Sequence, residues 1–485
     1  MAEFSKLHLY MLLVLPPIVM VAFRFRDSRE RDSDRRPTFR RYNSYVIHYY
    51  LPVMMLVYIP ALIFIKDSQR KLETFAMLIG LFLHITVYYV LLHLLIPVLR
   101  RYISSRACAA LWLLPNVFYI TTYLSVGLPY PHLTIYIPKA LLSLLLKLWL
   151  AGIAAVLVWK FAGHFRFRDL VLKDAVEITD GWIIDLWEDE LRRAGHNGWL
   201  MLVRSPAVTT PLSIGFFPGT IRVILPERDY TLEELHLILR HELVHIERED
   251  AVTKLMLTLC AAMCWFNPIM WWAMDKSAED MELSCDETVL LDADNDDRRR
   301  YAELLLRTAG DGRGFTTCLS ASAKALRYRL HRVVHPGKRL NGGLVAGFVT
   351  AVLLLTSGSV ALAYDRGTGK ELVFSDRPHT EFSLSGEAKW LAPDGNYSLE
   401  VLDPAAMGEY LSQLTCEKIT DKYDVFQNYD PEYRLTLNYD GPDGSVTVHL
   451  LEHTMTVSVP GSREEYFVPD RINWLYLESL LETHA

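Results

Sequence analysis

The sequence predicts a polytopic α-helical membrane protein with an α+β domain inserted before its last span and a small β-rich domain after it. Three observations predict this. Hydrophobic residues make up 51% of the 485 and are gathered into long blocks, which is how membrane spans read. Arginine and lysine cluster at alternate ends of those blocks, as expected when basic loops stay in the cytoplasm. The last stretch, from Tyr364 on, is acidic and built from short alternating runs, the pattern of half-buried strands.

The first apolar run, Leu7 to Phe23, lacks the basic leader and small-residue cleavage site of a signal peptide, so it reads as a span. Arg24, Arg26, Arg29, Arg31, Arg35, Arg36, Arg40 and Arg41 follow it and place that loop inside and the N-terminus outside. Asp27, Glu30, Asp32 and Asp34 interleave with them and both flanks are apolar, which argues against a direct nucleic-acid partner. Further spans are expected over about Tyr45–Ile65, Thr74–Leu99, Ala107–Leu128 and Ala140–Phe161, each suited to a bilayer about 30 Å thick. Arg100, Arg101 and Arg106 end the third, and His164, Arg166, Arg168 and Lys173 end the fifth, all on one side. Residues 1–163 are thus a bundle of about five transmembrane helices. His84 and His93 inside the third span are read as packing or hydrogen-bonding groups.

Residues 164–340 are soluble in character and assigned to the cytoplasmic side. Asp185–Ala194 reads as a short amphipathic helix, and MLVRSPAVTTPLSIGFFPGTIRVILP as a strand-rich patch broken by Pro and Gly. Thr231 then stands as an N-cap, with Glu234 completing a capping box for a helix from Leu232 to about Arg248. That helix contains His241-Glu242-Leu243-Val244-His245. Positions four apart lie above one another on a helix, so His241 and His245 can offer two imidazoles to one metal ion. Neutral imidazole suits zinc, and Glu242 is placed to take a proton from a water at an open coordination position. The bland reading is an exposed charged helix with two incidental histidines. A hairpin beside such a helix is also where a protease can hold an extended substrate as an added strand.

The run at 255–274 is apolar, but Asn267-Pro268 interrupts it. A full crossing would also put any later ligand across the bilayer from His241. It is read as helix, break and second helix, embedded in or lying on the inner leaflet. Glu279, Glu282 and Glu287 on the next helix are candidates for the third ligand that a catalytic zinc usually has. Lys324, Arg327, Arg329, Arg332, Lys338 and Arg339 form an inner juxtamembrane segment facing lipid. Residues 341–363 are the last transmembrane helix, and 364–485 an extracytoplasmic domain closed by a helix at Leu475–Glu482. Cys108, Cys260, Cys264, Cys285, Cys318 and Cys416 form no disulfide framework. Cys260 and Cys264 sit in an apolar run and read as buried small hydrophobes.

The stretch Glu282-Leu283-Ser284-Cys285-Asp286 resembles the E-x-x-C-D element of the BlaR/MecR-type bacterial membrane zinc metallopeptidases. LPERDYTLEELHLILRHELVHIERED, WFNPIMWW and SPAVTTPLSIGFFPGTIRVILP are similar to that family in the same order. The resemblance implies zinc (Zn2+) held by His241, His245 and Glu282, with Glu242 as general base. It implies that Asp286 holds a ligand histidine through its other ring nitrogen, the contact that fixes tautomer and basicity; a solvated helix carboxylate is the plainer alternative. Arg248 and Asp250 match the family's charged segment without a chemical role. The lactam-sensing members carry an outer Ser-x-x-Lys and Lys-Thr-Gly domain that Tyr364–Ala485 does not supply, and fewer leading spans.

The expected fold is therefore a polytopic α-helical membrane protein with an inserted α+β gluzincin-like zinc metallopeptidase domain and a small β-rich (α+β) extracytoplasmic C-terminal domain. The expected function is an endopeptidase that cleaves a cytoplasmic transcriptional repressor, and itself near Gly310–Lys324, in response to an envelope signal. The alternatives are a membrane-protein quality-control metalloprotease and a non-catalytic receptor with a structural zinc domain. The outer ligand, the oxyanion-stabilising group and homodimer formation are left open by the sequence.

Overall fold

The computed structural model describes residues 59–117, 131–308, 323–356, 360–374, 383–388, 398–419, 433–459 and 462–484, less single positions within them, and part of 13–21. Most of the two first predicted spans, the arginine-rich loop and most of the 310–324 segment lie outside the described residues. Two long helices open the described chain: α1, Ser68–Tyr102, and α3, Lys139–Lys173. Both are long and apolar enough to cross a membrane. Between them lie the short α2, Ser105–Leu113, a 3-10 turn at Leu114–Val117, and strand β1, Leu133–Tyr136. The fourth expected span is thus helical only to Leu113 before tightening at Pro115; its remainder lies outside the described residues.

Helix α3 does not stop where its apolar run stops. At about 1.5 Å per residue its 35 residues extend to about 52 Å, well beyond a hydrocarbon core. Its charged last third carries Val171 into the core of the next domain, where Ser205 Oγ donates to the Val171 carbonyl at 2.6 Å. The expected boundary at 163/164 therefore falls inside a continuous helix, and the domain that follows is mounted directly on it.

That domain contains β2 (Val176–Glu177), α4 (Gly181–Arg193), β3 (Met201–Ser205), β4 (Leu212–Ile214) and β5 (Arg222–Pro226). The four strands form one mixed sheet in the order β2-β3-β5-β4, with β3 and β5 parallel and β4 antiparallel to β5. Side chains alternate across it. Leu202, Val223 and Leu225 face α4 and helix α5, Leu232–Glu247, while Val203 and Ile224 pack with Val171. The capping box of α5 is formed: Thr231 Oγ1 accepts from Glu234 N, and Glu234 accepts from Thr231 N, both at 3.2 Å.

Helix α6, Asp250–Met263, and α7, Pro268–Val289, follow, with Asn267 capping α7 by accepting from Ile269 N at 3.0 Å. This is the expected helix, break and helix. Both helices share an apolar core with α1, α2, α3 and helix α10, Gly343–Thr356. Before α10 come α8, Asn295–Thr308, and α9, Ala323–Val334. His84 Nε2 lies 3.3 Å from Thr356 Oγ1, and the His93 ring meets Trp272 edge-on, in keeping with structural roles.

One expectation is corrected here. The 341–363 segment is not a single helix: α10 ends at Thr356, and Val360–Ala363 is strand β6, parallel to β1 in the register Leu133 with Val360.

Beyond it are β7 (Asp365–Thr368), the one-turn α11 (Gly369–Leu372), β8 (Ser383–Ala388), β9 (Ser398–Val401), α12 (Pro404–Gln413) and β10 (Thr415–Lys418). Then come β11 (Arg434–Gly441), β12 (Gly444–Leu451), β13 (Thr454–Val459), β14 (Ser462–Phe467), α13 (Trp474–Ser479) and β15 (Leu481–His484). Seven of these strands form one sheet, β7-β10-β14-β13-β12-β11-β8, with its own apolar core. The closing helix is shorter than expected: it ends at Ser479, and Leu481–His484 pairs with β9.

Candidate metal centre

The amphipathic face of α5 packs Leu235, Ile238, Leu239 and Leu243 on the sheet, which turns His241 and His245 toward α7. Both histidines are buried, and Glu242 between them is 0% exposed. The two Nε2 atoms lie 3.1 Å apart, and Glu282 Oε2 lies 3.7 Å from the first and 3.6 Å from the second. Tetrahedral zinc bound at about 2.0–2.1 Å to nitrogen and oxygen has ligand–ligand edges of about 3.3–3.4 Å. The observed triangle brackets that edge. Neither oxygen of the Glu282 carboxylate has a hydrogen-bond partner, although both are buried, and a cation among the three donors removes that deficit.

The outer ring nitrogens are held. His245 Nδ1 donates to Asp250 Oδ2 at 2.6 Å, which leaves its Nε2 lone pair free for a metal. Asp250 reaches back because the α5–α6 turn passes through Glu249 in the left-handed region, φ 56°, a conformation a non-glycine residue adopts at a cost. His241 Nδ1 donates to Tyr301 Oη at 2.7 Å, and that hydroxyl donates to Asp286 Oδ1 at 2.7 Å. Arg329 grips Asp286 with two bonds, Nε to Oδ2 and Nη2 to Oδ1, both 2.7 Å.

The direct Asp286–histidine bond expected from the resemblance is therefore corrected to a relay. Asp286 Oδ1 stands 3.8 Å from His241 Nδ1, and Tyr301 fills the gap. Sequence reasoning missed Tyr301 and Arg329, which lie beyond the motif on α8 and α9, and gave Asp250 no role. The signal for Asp250 was present as a carboxylate just past the helix end, but helical spacing cannot reveal a contact made by a left-handed turn.

The electrostatics call for positive charge at the centre. Burial works against charging His241, yet Cys285 and Glu282 beside it outweigh burial and push it up to about 9. Burial would raise Glu282, but His245 and His241 hold it well below the usual carboxylate range. Asp250, also buried, is held low by Arg248 and His245.

Cys285 offers a second donor set, since its thiol clusters with His241 and His245 within 4.8 Å. Its sulfur, however, is 3.5 Å from His241 Nδ1, the nitrogen already given to Tyr301. Glu282 approaches the Nε2 atoms of both histidines, with Lys254 and Arg329 each 3.5 Å from its carboxylate, and it makes no hydrogen bond that would hold it away from a metal, so Glu282 completes the better set. A narrow slit lined by Pro211, Leu237, Ile238, His241, Glu242, Tyr301, Leu304 and Leu305 adjoins it, about 10 Å³ in volume, room for about one water.

A small mixed sheet on an H-E-x-x-H helix, with a buried carboxylate supplied by a later helix, is the arrangement of metal-dependent peptidase domains. The comparisons place it more closely. Residues 131–333 match the BlaR1 peptidase M56 family, and the chain carries a peptidase domain of that BlaR1/MecR type. It is 25% identical over 236 residues to the regulatory protein BlaR1 of Bacillus licheniformis, covering 46% of this chain and 39% of that protein. The chain thus aligns with about two fifths of that relative's length.

Proposed function

We propose that this chain is a membrane-embedded zinc endopeptidase, a regulatory protease that cuts a cytoplasmic transcriptional repressor, and itself, in response to an envelope signal. The observation that carries the reading is the triangle of His241 Nε2, His245 Nε2 and Glu282 Oε2 beside the buried Glu242. Zinc bound there would supply Lewis acidity to a scissile carbonyl and make water acidic near neutral pH. Glu242 takes the proton of the attacking water and returns it to the leaving amine. Asp250 and the Tyr301–Asp286–Arg329 relay keep both rings in the tautomer and orientation that present Nε2. The N-terminus and the 364–485 domain lie outside and the peptidase inside, following the basic clusters.

A structural zinc domain is less well supported, because such sites tend toward four protein ligands and have no use for an adjacent base. The slit admits no peptide as it stands, so the closed arrangement suits a resting protease, and a substrate strand requires α8 to move from α5. The test is a search for a repressor gene beside this one and incubation of the purified, zinc-loaded chain with any repressor found there. Cleavage that Glu242→Gln abolishes supports the reading; an intact repressor under activating conditions refutes it.

A further inference from the structure

A second cavity, about 240 Å³, borders α7 just beyond Glu282. Arg106, Arg298, Arg332 and Arg339 line it, against the carboxylates of Asp286 and Glu287. Both carboxylates are committed elsewhere. Asp286 is held through both oxygens by Arg329. Glu287 accepts from Ser105 N at 3.0 Å, from Ser105 Oγ at 2.8 Å, from Arg339 at 3.2 Å and from Arg332. Guanidinium donors are left over. Nε of Arg332 and of Arg339 are buried without an acceptor, and the Arg332 residue is 8% exposed. Arg298 spends its donors on the carbonyls of Leu290, Ala293 and Val333, and among the described residues no carboxylate forms an ion pair with it.

The cavity also lies at a joint between apolar helices. Ser104 N donates to the Leu340 carbonyl at 2.9 Å, and Leu340 N to that of Tyr102 at 3.0 Å. These bonds tie the end of α1 to the start of α10, at the arginine-rich end of both. A space of this volume is many times what one water needs, about 10–15 Å³, and is enough for a tetrahedral oxyanion and its hydration. Planar guanidinium forks suit phosphate oxygens geometrically as well as by charge.

We infer that this cavity binds a phosphate-class anion, the headgroup of an anionic lipid or free phosphate. The anion takes the spare donors of Arg332 and Arg339 and braces α7, the helix that also carries Glu282.

The test reads thermal stability of the full chain and needs no proteolysis, so its failure leaves the proposed function standing. The protein is melted in detergent with inorganic phosphate or chloride at equal ionic strength, and in nanodiscs of phosphatidylcholine with or without phosphatidylglycerol. A saturable rise in Tm with phosphate beyond chloride is expected, or one with phosphatidylglycerol alone if the headgroup is the ligand. Arg339→Gln should weaken the response at least five-fold. Asn341→Asp adds a carboxylate to the cavity wall while keeping the side-chain oxygen that accepts from Gly343 N at 3.1 Å, so it should fold and lose the response. Equal melting in phosphate and chloride with no effect of phosphatidylglycerol overturns the inference, as does an undiminished response in both variants.

Discussion

At the scale of single residues, groups that lie within a few ångströms of each other have different jobs. Asp250 is asked to fix the His245 tautomer through its 2.6 Å contact, so Asp250→Asn should weaken zinc affinity by about 10–100-fold. Competition with a chromogenic chelator measures this, and unchanged affinity would reduce Asp250 to a partner of Arg248. His241, Glu242, His245 and Glu282 were legible in the sequence because helix spacing or a short motif brings them together. Tyr301 and Arg329 were not, because their contacts depend on how α8 and α9 fold back on α7, and no local period records that.

At the scale of elements, the capping box and the helix break at Asn267-Pro268 could be read directly, since both are set by neighbouring residues. Thr231→Ala should therefore cost about 1 kcal/mol, seen as a lower Tm with metal content unchanged; a Tm equal to wild type would remove the box from the account. Helix α9 is tied at both ends of one turn. Arg329 grips Asp286, while Arg332 donates to the carbonyl of Arg100 and to Ser105 Oγ, joining α9 to α1 and α2. Removing Arg329 leaves a buried carboxylate unpaired, a loss of about 3–5 kcal/mol. Arg329→Met should thus lower stability and loosen zinc together, whereas a stable, fully metallated variant would show that the relay does not bear on the site. Where a span ends proved harder to read than where it begins, because apolar content continues from α10 into β6 while the backbone changes from helix to strand.

For the whole molecule, the strand pair β1–β6 matters most. It joins the start of the 364–485 domain to the residues just before α3, where Ile137 N donates to the Ala363 carbonyl at 2.8 Å. Helix α3 then runs without interruption to Val171 beneath the peptidase sheet. Under the proposed topology, a signal received by the 364–485 domain would have a route along α3 as well as through the last helix, provided its ligand binds the active arrangement better than the resting one. Deletion of residues 364–485, with β6 retained, should leave zinc content unchanged and abolish signal-dependent cleavage. A truncated chain that responds normally would move the sensor into the membrane helices. Apolar blocks made the two long apolar helices readable, but pairing between strands more than two hundred residues apart has no signature in either segment.

In the proposed chemistry His241, His245 and Glu282 hold the metal and Glu242 moves the proton. This is tested most directly by measuring bound zinc and proteolysis side by side in three purified variants. Glu242→Gln should keep its zinc and lose about 10²–10⁴-fold in cleavage rate, Glu282→Ala should lose the zinc, and Cys285→Ser should keep both zinc and activity. Zinc retained in Glu282→Ala but lost in Cys285→Ser would contradict the account and make the thiol the third ligand.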